Sequence, residues 1–260
     1  MTVERKPPAD PGRIRLFTPQ PLAAGESVAL DGAQAHYLGR VMRKHPGDAV
    51  RLFNGHDGEW RAVIAEFARN RASLRCEEPL APQTTEPDLW LLFAPIKFGR
   101  IDFLAAKATE LGVAALGAVM TEHTRVARVN EDRLRANAIE AAEQTGRLSV
   151  PEILATRSFD AVFADWAPKR RLMVCDETGS APIVEALRTV RESGVKVGPW
   201  AVLIGPEGGF SSTELGALHE RPEVLRVSLG PRLLRADTAA LAALACWQAV
   251  LGDWPGAGPD

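Results

Sequence analysis

Two short glycine-rich segments, each following an apolar run, could hold a ligand through main chain: Leu203-Ile204-Gly205-Pro206-Glu207-Gly208-Gly209-Phe210 and Ser228-Leu229-Gly230-Pro231-Arg232-Leu233-Leu234-Arg235-Ala236-Asp237-Thr238. Where side chains are missing, a ligand can approach the backbone closely. Within the same segments stand a carboxylate, Glu207, and two guanidinium groups, Arg232 and Arg235. Such a set can accept a proton and stabilise developing negative charge. Neither segment matches G-x-G-x-x-G and the chain contains no G-x-x-x-x-G-K-[ST], so a pyrophosphate cradle has no direct support.

The elements around the segments follow from composition. Trp200 to Ile204 has the length and apolarity of a strand buried on both faces, and Gly205 to Gly209 breaks it. Ser211 with Glu214 three residues on fits a capping box, so a helix begins there with free N–H groups toward the loop. The layout recurs: Val224 to Leu229 reads as a strand, Gly230-Pro231 stops it, and Asp237 or Thr238 caps a helix from Ala239 toward Leu251, ended by Gly252. Two strand ends and two loops side by side would form the crevice where open α/β sheets bind ligands.

The pair GPEGGF and LGPRLLRADTA resembles the C-terminal motifs of the RsmE family, the ribosomal RNA small subunit methyltransferase E enzymes, within the SPOUT superfamily. Upstream segments agree in order: His36-Tyr37-Leu38-Gly39-Arg40-Val41-Met42-Arg43, Lys107 to Val113, and Ala141 to Arg147 before Val150-Pro151-Glu152. The resemblance spans about residues 13 to 254. It implies an α/β fold with a mostly parallel SPOUT-type sheet and a C-terminal trefoil knot, preceded by a small PUA-like β-barrel domain. Topology rules alone favour an unknotted winding.

Along the chain, residues 1–12 are polar and Pro-rich and read as a disordered extension. Arg13 to Phe17, Ser27 to Leu30, Ala49 to Asn54, Glu59 to Ala65 and Ala72 to Cys76 are strand candidates, with a turn at Asn54 to Gly58. They suggest a small β-barrel over residues 13–80, interrupted by a helix from about Ala33 to Arg43. Residues 77–87 hold three prolines and no apolar periodicity, a linker whose core is 81–87. From residue 88 to 260 apolar runs alternate with helical stretches: strand Leu89 to Ala94, helix Ile101 to Leu111, strand Ala114 to Met120, helix Asp132 to Thr145, strand Leu172 to Cys175, helix Pro182 to Glu192, then the two glycine-terminated units. That alternation argues for a parallel sheet covered by helices.

By the resemblance, S-adenosylmethionine is the cofactor, held by Leu203, Ile204, Gly205, Gly209, Ser228, Leu229 and Gly230, with Leu233, Leu234 and Thr238 completing the wall. A side chain at Gly205 or Gly230 would intrude on that volume. The implied product is uridine methylated at N3 in small-subunit (16S) ribosomal RNA, with Glu207 as candidate base and Arg235 and Arg232 as candidates to stabilise the uracil oxygens. Arg13, Arg15, Arg40, Arg43, Lys44 and Arg125 are the expected RNA contacts, with Arg128 in the same loop as Arg125. Glu143, Gln144 and Arg147 read as inter-subunit or RNA-facing contacts of a homodimer. Asp237 stands where relatives usually carry Glu, and the stretch 129–138 lacks their Trp-Lys.

Composition sets bounds. Net charge is −2, yet residues 1–76 hold 12 Lys plus Arg against 8 Asp plus Glu, a local +4 that favours the N-terminal part as the RNA contact. Cys76, Cys175 and Cys246 lie far apart without C-x-x-C, and the five histidines show no ligand spacing, so no disulfide framework or metal site is expected. No apolar run is long enough to cross a bilayer and no charged-then-apolar leader is seen, so a cytoplasmic protein is expected. The alternatives are a SPOUT enzyme acting on a ribose 2′-oxygen or another base, and a non-catalytic RNA-binding dimer.

Overall fold

A computed structural model describes residues 10–96, 99–176, 180–194 and 197–256. The expectation for residues 1–9 lies outside these, as does the end of the C-terminal domain, 257–260. The chain divides into two compact units: residues 1–85 with 142–150, and residues 86–141 with 151–260.

The first unit is built on five strands: β1 Arg15–Phe17, β2 Ser27–Leu30, β3 Ala49–Phe53, β4 Glu59–Ala68 and β5 Arg71–Ala81. They pair in the order β1-β3-β4-β5-β2, without a β1–β2 ladder to close a barrel. The Gln20 side-chain amide instead occupies the free edge of β2, donating to Ala29 O at 2.6 Å and accepting from Ala29 N at 3.0 Å. That side chain takes up the pairing groups of Ala29 that would otherwise face outward from the strand edge. Alternation along β2 and β3 turns Val28, Leu30, Val50 and Leu52 into a core with Ile64, Leu74 and Leu38. β5 continues through Glu77 to Ala81, so the start of the expected linker is strand. The expected helix from Ala33 is shorter and changes pitch: α1 spans Gly32–His36, capped by the Asp31 side chain, and a π-helical turn follows over Tyr37–Val41.

Residues 142–150, read from sequence as part of the C-terminal domain, pack within this first unit. Ala142 and Leu148 join Phe53 in a small buried cluster. The Arg15 guanidinium donates to Ala142 O (2.8 Å), Glu143 O (3.2 Å) and Arg147 O (2.9 Å) and pairs with Glu59 at 2.5 Å.

The second unit contains β6 Leu89–Phe93, α2 Arg100–Glu110, β7 Ala115–Met120, the start of α3 (Glu131–Thr145), β8 Glu152–Ser158, α4 Phe159–Ala164, β9 Arg171–Cys175, β10 Ala181–Pro182, α5 Ile183–Glu192, β11 Trp200–Ile204, α6 Ser212–His219, β12 Val224–Ser228 and α7 Ala236–Val250. Its seven strands are all parallel, in the order β10-β12-β9-β11-β6-β7-β8. β11 is central and buried along its whole length, as a strand with helices on both faces requires. Ala201 and Leu203 face Phe159 and Phe163 of α4 and Leu218 of α6, while Trp200 meets Trp247 of α7 edge to face at 6.4 Å. β8, α4 and β10 are additional to the elements read from sequence.

Candidate cofactor and catalytic site

The two glycine-rich loops leave β11 and β12, which are not neighbours: β9 lies between them and pairs with both. Both loops nevertheless line one cavity of about 530 Å³ at the carboxyl ends of these three strands. Its wall is apolar through Ile204, Leu215, Leu229, Leu234 and Ala239. Its polar side chains include Glu207, Arg232, Arg235 and Asp176.

The first loop is held from two sides. Ser211 and Glu214 form the capping box of α6, and the buried Glu214 carboxylate also accepts from Glu122 N at 2.9 Å. The N–H of Gly209 donates to Pro206 O at 2.9 Å, closing a tight turn with Gly209 at φ +71°. His123 Nδ1 lies 3.0 Å from Gly209 O; a carbonyl only accepts, so that nitrogen carries the proton. Ser211, Glu214, Glu122 and His123 therefore fix the loop without occupying the cavity.

Gly205 and Gly230 are required for different reasons than the expected intrusion. A Cβ at Gly205 would lie 2.9 Å from the Phe210 ring, so the missing side chain makes room for Phe210, itself a cavity wall. At Gly230 a Cβ would meet nothing within 4 Å, but φ is +103°, a backbone conformation that side chains strain.

In the second loop, α7 begins earlier than expected. Arg235 occupies the N-cap position without a side-chain cap bond, and Asp237 and Thr238 lie inside the first turn, so neither is the cap. Asp237 accepts from Thr238 N at 3.0 Å and approaches Arg100 Nη1 at 4.0 Å, complementing the positive end of the helix. Arg100 Nη1 also pairs with the exposed Glu207 carboxylate at 3.9 Å, beyond hydrogen-bond reach. The Arg232 and Arg235 side chains are exposed at the cavity, and Leu233 between them is 83% exposed.

Of the ten expected cofactor residues, Leu203 and Thr238 do not line the cavity, and the other eight do. Leu203 is consumed by the ladders to β6 and β9 and by the core beneath them. Residues that sequence reading missed include Cys175 and Asp176 at the end of β9. The Asp176 carboxylate, nearly buried, accepts from Arg226 Nε at 2.7 Å. The rule that ligands sit at carboxyl strand ends, applied to Leu172 to Cys175, would have found them. Burial pushes the Cys175 thiol up to about 12, so it stays protonated and is no nucleophile.

The expected RNA contacts separate. Arg13, Arg40, Arg43 and Arg125 are exposed and Lys44 half-buried. Arg15 is corrected: its guanidinium is engaged by three carbonyls and Glu59 inside the first unit. Glu143 accepts from Phe17 N at 2.9 Å and Arg147 donates to Ser149 Oγ at 3.2 Å, both within the first unit, and Gln144 is exposed. Among the described residues no cluster of His, Cys, Asp and Glu could hold a metal ion, and no helix is long and apolar enough to cross a membrane.

Residues 84–248 match the RNA methyltransferase domain family, and residues 30–75 match the RNA methyltransferase PUA domain. Ribosomal RNA small subunit methyltransferase E of Rickettsia conorii is 32% identical over 89% of this chain and 93% of its own. The chain belongs to the ribosomal RNA small subunit methyltransferase E family. Two solved structures agree with that family's fold. The Neisseria gonorrhoeae member bound to S-adenosyl methionine is 26% identical, covering 93% of this chain and 99% of its own, with a TM-score of 0.81. A Legionella pneumophila protein in complex with the same cofactor is 29% identical, covering 92% and 98%, also with a TM-score of 0.81.

Proposed function

We propose that this protein transfers a methyl group from S-adenosylmethionine to N3 of a uridine in 16S ribosomal RNA, as a cytoplasmic homodimer whose second unit is threaded as a trefoil knot. The observation that carries the reading is the convergence of both glycine-rich loops on one cavity that also presents Glu207, Arg232 and Arg235. Family membership supports the small-subunit RNA target.

The residues present fit the cofactor. The apolar wall of Ile204, Leu229, Leu234 and Ala239 suits an adenosyl group, backbone of the two loops offers donors and acceptors, and the exposed Glu207 complements positive charge. When bound, S-adenosylmethionine supplies an already activated methyl on a sulfonium. The chain has to align the uracil and remove its imide proton, because the protonated nitrogen is a poor nucleophile. Glu207 accepts that proton, while Arg235 and Arg232 stabilise the negative charge that spreads onto the uracil oxygens. Arg13, Arg40, Arg43, Lys44 and Arg125 meet RNA phosphates.

Methylation at N3 blocks the Watson–Crick edge, which supplies the test. Reverse transcription of 16S RNA is expected to stop at one uridine in cells carrying the enzyme and to read through in a deletion strain. Identical stops in both strains would reject the target. Cofactor binding is tested separately by calorimetry. There Gly230→Ala is expected to weaken S-adenosylmethionine about tenfold, the factor that roughly 1.4 kcal/mol of backbone strain produces. Unchanged affinity would show that the left-handed turn is not needed to shape the site.

A further inference from the structure

The turn that follows β7 reaches the first glycine-rich loop across the sheet. β6 lies between β7 and β11, so those two strands do not pair. Thr121 and Thr124 close the turn: Thr124 N donates to Thr121 O at 3.0 Å, Thr121 N donates to Thr124 Oγ1 at 3.0 Å, and the two hydroxyl oxygens lie 2.8 Å apart. Threonine hydroxyls bonded to nearby main chain hold a turn of this kind without a partner strand. The closed turn presents two donors. Glu122 N donates at 2.9 Å to the Glu214 carboxylate, which also accepts from Ser211 N at 2.9 Å, and His123 Nδ1 donates to Gly209 O at 3.0 Å.

From Gly205 to Phe210 the main chain makes two hydrogen bonds among the described residues. One, from Gly209 N to Pro206 O, lies within the loop, and the other, from His123, ties the loop to the rest of the unit. Phe210 is anchored by its ring, 6.4 Å from that of Phe159, and the exposed Glu207 meets Arg100 at 3.9 Å, a pairing that contributes little. The main chain between these anchors depends on His123. Gly208 and Gly209 have the most conformational freedom to lose when the loop is ordered. Gly208 also leaves room for the histidine, since a Cβ there would lie 3.4 Å from His123 Cβ. A loop that its ligand must order binds more weakly than one already held in shape. His123 is exposed, so replacing it uncovers no core and takes away chiefly the bond.

We infer that His123 is a positioning residue for S-adenosylmethionine: through the bond from Nδ1–H to Gly209 O it holds the first glycine-rich loop in its binding form before the cofactor arrives. The inference rests on the cofactor of the proposed reaction and is independent of the RNA target.

Calorimetry with S-adenosylmethionine on the full chain tests the bond through three substitutions. His123→Ala removes the donor and is expected to weaken the cofactor about 2- to 12-fold, the factor that one net hydrogen bond produces. His123→Asn keeps an N–H donor near the place of Nδ1 and should stay within about twofold of the parent protein. His123→Asp differs from it by one group, turns an acceptor-only carboxylate toward the carbonyl, and should bind at least as weakly as the alanine variant. Melting midpoints within about 2 °C of the parent, as expected at an exposed position, show that all three are folded. In the cofactor-free protein, amide exchange across residues 205–210 is expected to quicken in the alanine and aspartate variants and to return to the parent pattern at saturating cofactor. Parent affinity in both of those variants would overturn the inference and leave the cofactor assignment standing. Equal losses in the alanine and asparagine variants would overturn it too, because the contact would then be the packing of the ring and not its proton. Failure of the parent protein to bind S-adenosylmethionine would overturn both the inference and the cofactor reading.

Discussion

Arg235→Ala is expected to bind S-adenosylmethionine within about twofold of the parent protein and to lose on the order of 10²–10³ in kcat, the usual cost of removing one donor to a developing oxyanion. The separation follows from where Arg235 stands. It is the N-cap residue of α7, yet its side chain makes no cap bond, and its backbone carbonyl, which accepts from Ala239 N at 2.8 Å, survives the substitution. The side chain is exposed and lines the cavity, so its removal leaves no buried group unpaired. In the proposed reaction uridine N3 loses a proton before it attacks, and that charge rests on the two carbonyl oxygens, where a planar guanidinium is the suited partner. Arg235→Lys should recover part of the rate, because a point charge remains but the fork does not. Single-turnover transfer of labelled methyl to 16S RNA at saturating cofactor reads the effect directly. Full kcat in Arg235→Ala would remove this residue from the chemistry and pass the role to Arg232.

The elements around the two glycine-rich loops were legible in the sequence because local rules act on them alone. Trp200 to Ile204 is a strand for its uninterrupted apolarity, and Ser211 with Glu214 forms the capping box that its spacing implies. The start of α7 was placed late because Asp237 and Thr238 are good cap residues by type, whereas the chain enters the helix at Arg235. Glu152–Ser158 was missed as a strand because four of its seven residues are polar, as suits an edge strand, and its pattern is set by pairing with Ala115–Met120 rather than by its own composition. The insertion of β9 between β11 and β12 could not be read either, since strand order depends on crossovers far apart in sequence. At the other unit, basic residues near the N-terminus looked alike in sequence, and only burial distinguishes Arg15, which is structural, from the exposed Arg13.

That distinction has a large consequence for stability. Arg15→Ala is expected to destabilise the protein by about 3–5 kcal/mol, the range for removing one partner of a buried ion pair. The side chains of Arg15 and Glu59 are 10% and 9% exposed, and their N–O separation is 2.5 Å. Without the guanidinium, Glu59 keeps the 3.5 Å contact to Arg51 as its ion pair among the described residues. The carbonyls of Ala142, Glu143 and Arg147 lose the donors that Arg15 supplies at the carboxyl end of α3, where a cation is favoured. The cation also sits 4.7 Å from the centroid of the Phe53 ring, in the cluster that anchors residues 142–150. Much of the loss reflects the carboxylate left behind, so Arg15→Met with Glu59→Gln should cost less than Arg15→Ala alone, since neither buried position then holds an unmatched charge. Urea denaturation of the three proteins tests this through the first unit's transition. A loss below about 1 kcal/mol in Arg15→Ala, the scale of an exposed pair, would mean that the network is solvated and that Arg15 is available to RNA after all.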